Sequence, residues 1–474
     1  MTRTGVGVAA VLACLLAGCT VGPKYKVPDV PLTPAFKEAD GWKAAHPSDQ
    51  ALRGAWWEIF GDPQLNALEE QVPGGNQNLK GLEARFREAR AAIRFNRASE
   101  FPTISTAPSI TSIRDSANRP YLPAGAARAT GDFVLPFDVS YELDFWGRVR
   151  RTVASAREFA QASAADLETA KLSLQAELAF DYYELRSADA QKEILDNTVE
   201  SYAAALRLTQ NRYQGGAAPK SDVAQAETQL ETARVQDTDI GVQRSQYEHA
   251  ISILIGKPPA AFSLQAAASS LRPPDIPVGV PADLLERRPD IAAAERRVAA
   301  ASEQIGIARA AFFPTVMLTA VAGLEGTSIM NWLNWPSRLW AVGPSAVQTL
   351  FDAGRRRATS EAAMAGFDAA AADYRESALA AFQQVEDNLA ALRILEAEAG
   401  QQHQAVVSAQ ESLQLFTNRY KGGVDTYLQV VTSQTAALAN ERNETDIQRR
   451  RMDATVLLIK ALGGGWNVSN LPKL

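Results

Sequence analysis

From Arg148 to Tyr213 the chain runs 66 residues without a glycine or proline, and Arg355 to Tyr420 is another 66 with no proline and only Gly366 and Gly400. Little in either stretch breaks a helix, and at about 1.5 Å per residue each reaches about 100 Å, several-fold the ordinary length. Near the end of the first, Leu195, Val199, Tyr202, Leu206, Thr209 and Tyr213 recur in steps of four and three. Val406, Ala409, Leu413, Phe416 and Tyr420 do the same in the second. This is the spacing of a seam between packed helices. A Gly-Gly pair follows each, where a chain can reverse, and return helices are expected over Ser221 to Ile255 and Tyr427 to Leu462. Hairpins this thin make no compact core alone and require neighbours. Abundant alanine with a modest aromatic share suits such close helix packing.

The two hairpins are copies. Ser201 to Gly216 aligns with Ser408 to Gly423 at an offset of 207, which also places Gly147-Arg148 on Gly354-Arg355. Phe101-Pro102-Thr103 matches Phe313-Pro314-Thr315 at an offset of 212, so the difference falls between these anchors, where a loop absorbs it. Internal repetition of this kind governs the whole fold.

Between the anchors the periodicity changes to two. Phe133, Leu135, Phe137, Val139, Tyr141, Leu143 and Phe145 alternate with a face carrying Asp138, Ser140, Glu142 and Asp144. A membrane-spanning strand needs about 9–11 residues of such alternation, and a half-buried strand in a soluble sheet reads the same way. Val316, Leu318, Ala320, Ala322 and Leu324 repeat the pattern more weakly. Trp332, Trp335 and Trp340 surround the turn that follows, suited to an interfacial belt or to loop packing. Two hairpins per chain cannot close a barrel, and open edges do not survive in lipid. Strands in the membrane would therefore require several chains to share one barrel.

The N-terminus reads as a targeting segment. Arg3 precedes a run of apolar and small residues from Gly5, which ends in Leu16-Ala17-Gly18-Cys19, the order of a bacterial lipoprotein signal. That predicts removal of residues 1–18 and a covalent lipid on Cys19. Thr20 follows where an aspartate would favour retention at the inner membrane. The only other cysteine, Cys14, lies in the removed segment, so the mature chain has no intramolecular disulfide. Charged residues are 22% and the net charge is −6, which gives no sign of a nucleic-acid partner. His46, His249 and His403 are scattered, with no metal spacing, nucleophile elbow or phosphate loop, so an enzyme is not expected and no metal or other cofactor.

With these features in place, the chain resembles the TolC/OprM family of outer-membrane efflux proteins, closer to the lipoprotein OprM branch. The resemblance rests on Trp56-Trp57-Glu58-Ile59-Phe60-Gly61-Asp62-Pro63-Gln64-Leu65 and Glu142-Leu143-Asp144-Phe145-Trp146-Gly147-Arg148. It rests further on Pro281 to Ile291, Arg419 to Leu428 and Ala461-Leu462-Gly463-Gly464-Gly465-Trp466. It implies a mainly α fold with a membrane β-barrel: duplicated long helical hairpins form a trimeric α-barrel, and four β-strands per chain contribute to a shared 12-stranded barrel. The expected organisation is a signal peptide (1–18), an N-terminal segment of an equatorial belt (19–75) and a first repeat (76–255) with a β-hairpin at 101–146 and a tip at 214–220. A Pro-rich equatorial linker (256–289) leads to a second repeat (290–462) with a β-hairpin at 313–352 and a tip at 421–426, then a tail (463–474). The implied function is the outer-membrane exit duct of a tripartite efflux pump, opening by an iris-like movement of the tips. Its implied partners are a second and third copy, a periplasmic adaptor, an inner-membrane RND-type transporter and outer-membrane lipid. A type I secretion outlet of the same family and a poreless coiled-coil scaffold lipoprotein are the alternatives.

The resemblance also assigns roles at the tips. Gly215, Gly216, Ala217, Gly422, Gly423 and Val424 would meet the adaptor. Asp425, Tyr427, Leu428, Gln429 and Thr432 would form the periplasmic gate, with Leu428 at the apolar constriction and Gln429 and Thr432 where relatives carry acids. Asp222 and Tyr420 match a pair that latches the closed state, although Asp222 also suits a helix N-cap. Arg148, Arg150, Arg151, Arg355, Arg356 and Arg357 follow the strands, where positive charge opposes the helix macrodipole by about 0.3–1 kcal/mol each. Two offsets are open: ion pairs with carboxylates such as Glu142, Asp144 and Asp352, or contact with lipid head groups.

Overall fold

The computed structural model describes residues 20–39, 54–116, 129–267, 272–274, 276 and 281–474. The signal segment 1–18 and Cys19 lie outside the described residues. The elements are α1 (Pro63–Glu69), α2 (Gln77–Arg97), β1 (Thr103–Ser105), β2 (Ser109–Arg114), β3 (Ala129–Glu142), α3 (Arg148–Gln214) and α4 (Lys220–Leu254). The second half follows as α5 (Pro289–Ala310), β4 (Thr315–Gly326), β5 (Arg338–Val347), α6 (Arg355–Lys421) and α7 (Tyr427–Ala461). Both long helices have 67 residues and both return helices 35, so the duplication is preserved almost to the residue. Gly366 and Gly400 leave α6 unbroken.

Each long helix starts and stops by the same means in both halves. At the N-termini Gly147 and Gly354 have left-handed backbone and no side-chain cap. Carboxylates take the role instead: Asp144 accepts from the amides of Val149 and Arg150 at 3.1 and 2.9 Å, and Asp352 accepts from those of Gly354 and Arg356, each at 3.2 Å. At the tips Gly216 and Gly423 sit at φ 72° and 75°, where a side chain would be strained. They let the next amide return to the helix, Ala217 N to Arg212 O at 2.8 Å and Val424 N to Arg419 O at 3.0 Å.

The strands form one antiparallel sheet, in which β3 pairs with β4 and joins the two halves. β5 pairs with β4, and β1 and β2 both pair with β3, so five segments occupy four positions. The expected first strand is thus split. Its break, residues 106–108, falls opposite Pro136 of β3 and contains Pro108. Each proline lacks the N–H a ladder needs, and with Pro136 opposite Ala107 and Pro108 opposite Leu135 the pairing lapses over this stretch. β3 begins at Ala129 rather than Phe133 and ends at Glu142, before Leu143 and Phe145. One chain does not close the sheet: β1/β2 and β5 are its edges. No helix among the described residues is long and apolar enough to cross a membrane.

The main core lies partway along the hairpins, where Trp56, Leu65, Leu68 and Val72 of the N-terminal segment meet Tyr182 and Leu185 of α3 and Val456 and Ile459 of α7. The buried Arg186 and the half-buried Arg244 fasten the described part of the Pro-rich linker there. Arg186 binds Asp189 at 2.8 Å and the carbonyl of Gln265 at 3.0 Å, and Arg244 binds Asp189 at 2.7 Å and the carbonyl of Leu264 at 2.6 Å. Residues 20–38 form a strap that starts at the foot of the sheet. Val21 donates to Trp146 O at 3.1 Å, Tyr25 bonds Glu295, and the amides of Lys37 and Glu38 reach Glu386 at 2.7 and 2.9 Å.

Candidate functional site: the helix tips

At the end remote from the sheet, the two Gly-Gly turns and the starts of α4 and α7 form the tip. Gly215, Gly216, Ala217, Gly422, Gly423 and Val424 are all exposed, Val424 by 67%. Beside them an open groove of about 650 Å³ runs between α6 and α7, with Leu415, Phe416 and Gln429 in its walls. Leu428 is 53% exposed, and Gln429 and Thr432 share its exposed surface. Thr432 spends its hydroxyl on Leu428 O at 2.9 Å.

Asp425 is not a free acid. Arg419 grips it with Nε at 2.5 Å and Nη2 at 3.3 Å, and this bond holds the carboxyl below its usual range. Tyr427 is buried, and burial together with the Tyr420 ring 5.2 Å away pushes its hydroxyl well above the ordinary value. Tyr420, Tyr427, Ala226 and Val430 make a small cluster of their own, separate from the main core.

Asp222 and Tyr420 do not bond within the chain, for the Tyr420 hydroxyl is buried without a partner. Nor is Asp222 the N-cap of α4. Pro219 holds that position and Asp222 lies in the first turn, where a negative charge favours the dipole. Partial burial raises its pKa, and Arg212 opposes the rise.

Arg212 was not singled out from the sequence, yet it reaches from the end of α3 to the end of α6. Its guanidinium lies 4.6 Å from the centre of the Tyr420 ring, and Nη1 donates to Tyr420 O at 2.7 Å and Lys421 O at 3.1 Å. A signal did exist. Arg212 and Arg419 are equivalent in the duplication, but the position matching Asp425 is Ala218, so Arg212 has no acid in its own turn.

At the other end the arginines after the strands are mostly ion-paired. Arg148 binds Glu142 at 2.9 Å, Arg150 binds Asp144 at 3.2 Å and Arg151 binds Glu303 at 2.8 Å. Arg356 binds Asp352 at 2.6 Å and Arg357 binds Glu361 at 3.0 Å, while Arg355 makes no ion pair among the described residues. Glu142, Asp144 and Asp352, the carboxylates named from the sequence, hold three of these arginines, and Glu303 and Glu361 hold two more.

The sequence profile described as outer membrane efflux protein matches residues 70–257 and 280–464, the two halves of the duplication. The chain is similar to the toluene efflux pump outer membrane protein TtgF of Pseudomonas putida, 33% identical over 97% of each chain. It is also similar to the outer membrane protein OprJ of Pseudomonas aeruginosa, 32% identical over 98% of this chain and 97% of that one. Among solved structures, the outer-membrane channel OprN superposes with a TM-score of 0.87 at 29% identity, covering 94% of this chain and all of that one.

Proposed function

This chain belongs to the outer membrane efflux protein family and is a non-enzymatic efflux channel of the outer membrane; we propose that it works as a homotrimer, lipid-anchored at Cys19, docked to a periplasmic adaptor and an RND-type inner-membrane transporter. The observation that carries the trimer is the open sheet. Ile104, Ile110 and Ile113 on one edge, and Trp340, Val342 and Val347 on the other, are exposed in the single chain. Unpaired edges are excluded from lipid, so copies must complete the barrel. Two copies would supply eight strands, a number whose interior side chains fill. Three supply twelve, which leaves a passage.

Support for lipid on Cys19 comes from its neighbour. Thr20 packs on Gly147, where a Cβ would come within 2.9 Å of the Thr20 side chain, and Gly147 is the point at which strand becomes helix. Thr20 is thereby held at the foot of the sheet, a height that suits a lipid joined next to it in the inner leaflet. At the opposite end the exposed glycine turns and groove suit adaptor helices, and Leu428 suits an apolar constriction that opens as the tips move apart like an iris. The cargo is small toxic compounds, such as the toluene for which one relative is named, and selection occurs upstream of the duct.

The test is twofold. The purified full-length protein in planar bilayers should conduct and should cross-link as three chains. Cells lacking it should lose tolerance to solvents and antibiotics, and regain it with the gene restored. A protein that never conducts, or cross-links only as a dimer, refutes this reading.

A further inference from the structure

The two tips of one chain began as copies and now differ in where their arginine goes. Arg419 turns back to Asp425 in its own loop, whereas Arg212, facing Ala218, crosses to the other hairpin. There it lies over the Tyr420 ring and donates to the last carbonyls of α6, the negative end of that helix. The equivalent tyrosine of the first hairpin, Tyr213, has no such cover and is 45% exposed, whereas Tyr420 is 3% exposed. The contact is therefore a one-way bridge between the hairpins, and it is made at the end where the channel closes.

We propose that Arg212 is the positioning residue that clasps the two hairpins of a subunit at the closed tip, and that Tyr420 serves it with its ring and carbonyl, not its hydroxyl. The proposal rests on the channel reading. By fixing the end of α6 against the end of α3, with the Tyr420 ring packed on Tyr427 at the start of α7, the clasp holds Leu428 at the constriction. Asp222 contributes as a nearby countercharge to Arg212, without a bond to Tyr420.

Single-channel recording of the full-length protein separates the possibilities. Arg212→Gln removes the clasp and should raise the open fraction on the order of tenfold, the population change for about 1.4 kcal/mol. Tyr420→Leu removes the ring but not the carbonyl and should raise it less. Tyr420→Phe keeps the ring and carbonyl and should record as wild type. Arg212→Lys keeps the charge and should fall between. Trimer assembly is checked for every variant on a non-denaturing gel. Opening by Tyr420→Phe equal to that by Arg212→Gln would show that the hydroxyl holds the gate and would overturn the proposal. Unchanged conductance in assembled Arg212→Gln would overturn it too. A wild-type protein that forms no channel at all would instead remove the channel reading on which the clasp depends.

Discussion

Glu69 is the group whose replacement should most clearly change the stability of the chain. It ends α1 in the main core, is 0% exposed, and neither carboxylate oxygen has a partner. It borders a cavity of about 410 Å³ together with Trp56 and Gln175. Burial raises its pKa from 4.5 to about 9. For an acid with a raised folded pKa, the unfolded chain holds fewer protons than the folded one, so stability falls as pH rises from about 4.5 to about 9. The cost is about 1 kcal/mol at pH 5 and about 5 kcal/mol at pH 8, at 1.36 kcal/mol per pH unit. Glu69→Met keeps the length of the side chain and removes the titration. A chain of this size has an unfolding entropy of roughly 1 kcal/mol/K, so the Tm advantage of the variant should grow by about 4 °C between pH 5 and pH 8. Tryptophan fluorescence during thermal unfolding in detergent reads it. Packing changes offset both pH values equally, and only the difference carries the argument. An advantage that is constant with pH would show that Glu69 is not buried as a neutral acid.

Cys19→Ala should yield a protein whose N-terminal mass lacks lipid, with trimers and conductance retained because the barrel still anchors it; loss of the barrel fold would refute this. Leu428→Ala should raise conductance through the apolar constriction, and an unchanged value in assembled trimers would place the constriction elsewhere. Replacing Arg148, Arg150, Arg151, Arg355, Arg356 and Arg357 by Gln in the Cys19→Ala background distinguishes their two roles. Trimers that fall apart in detergent indicate the ion pairs, and intact trimers with weaker membrane retention indicate lipid head groups.

The long helices, their reversals and the duplication were legible because each depends on local chemistry: missing breakers, Gly-Gly at fixed offsets and a steady seam. The alternation in β3 was legible for the same reason. The split between β1 and β2 was not, since it needs Pro108 and Pro136 to fall in the same short stretch of two facing strands, and that follows from register. Long-range contacts of irregular chain were equally hidden. The strap joins Tyr25 to Glu295 across 270 positions, and no periodicity announces such a contact. Glu69 occupies a position that reads as an ordinary helix-end acid until three separate segments cover it.

The differences between the halves carry as much as their likeness. Both preserve helix length and the left-handed glycine of the tip, so both hairpins reach the same level. Among the substitutions that separate them are Ala218 against Asp425 and Asp222 against Gln429. With an acid in both loops, each arginine would bind at home and the tips of the hairpins would lose this bridge. Deleting one acid frees one arginine for the neighbouring helix end. In the proposed trimer, the proposed clasp would make firm joints within subunits that alternate with other joints between them. That alternation allows a closed tip to part along some seams while others hold.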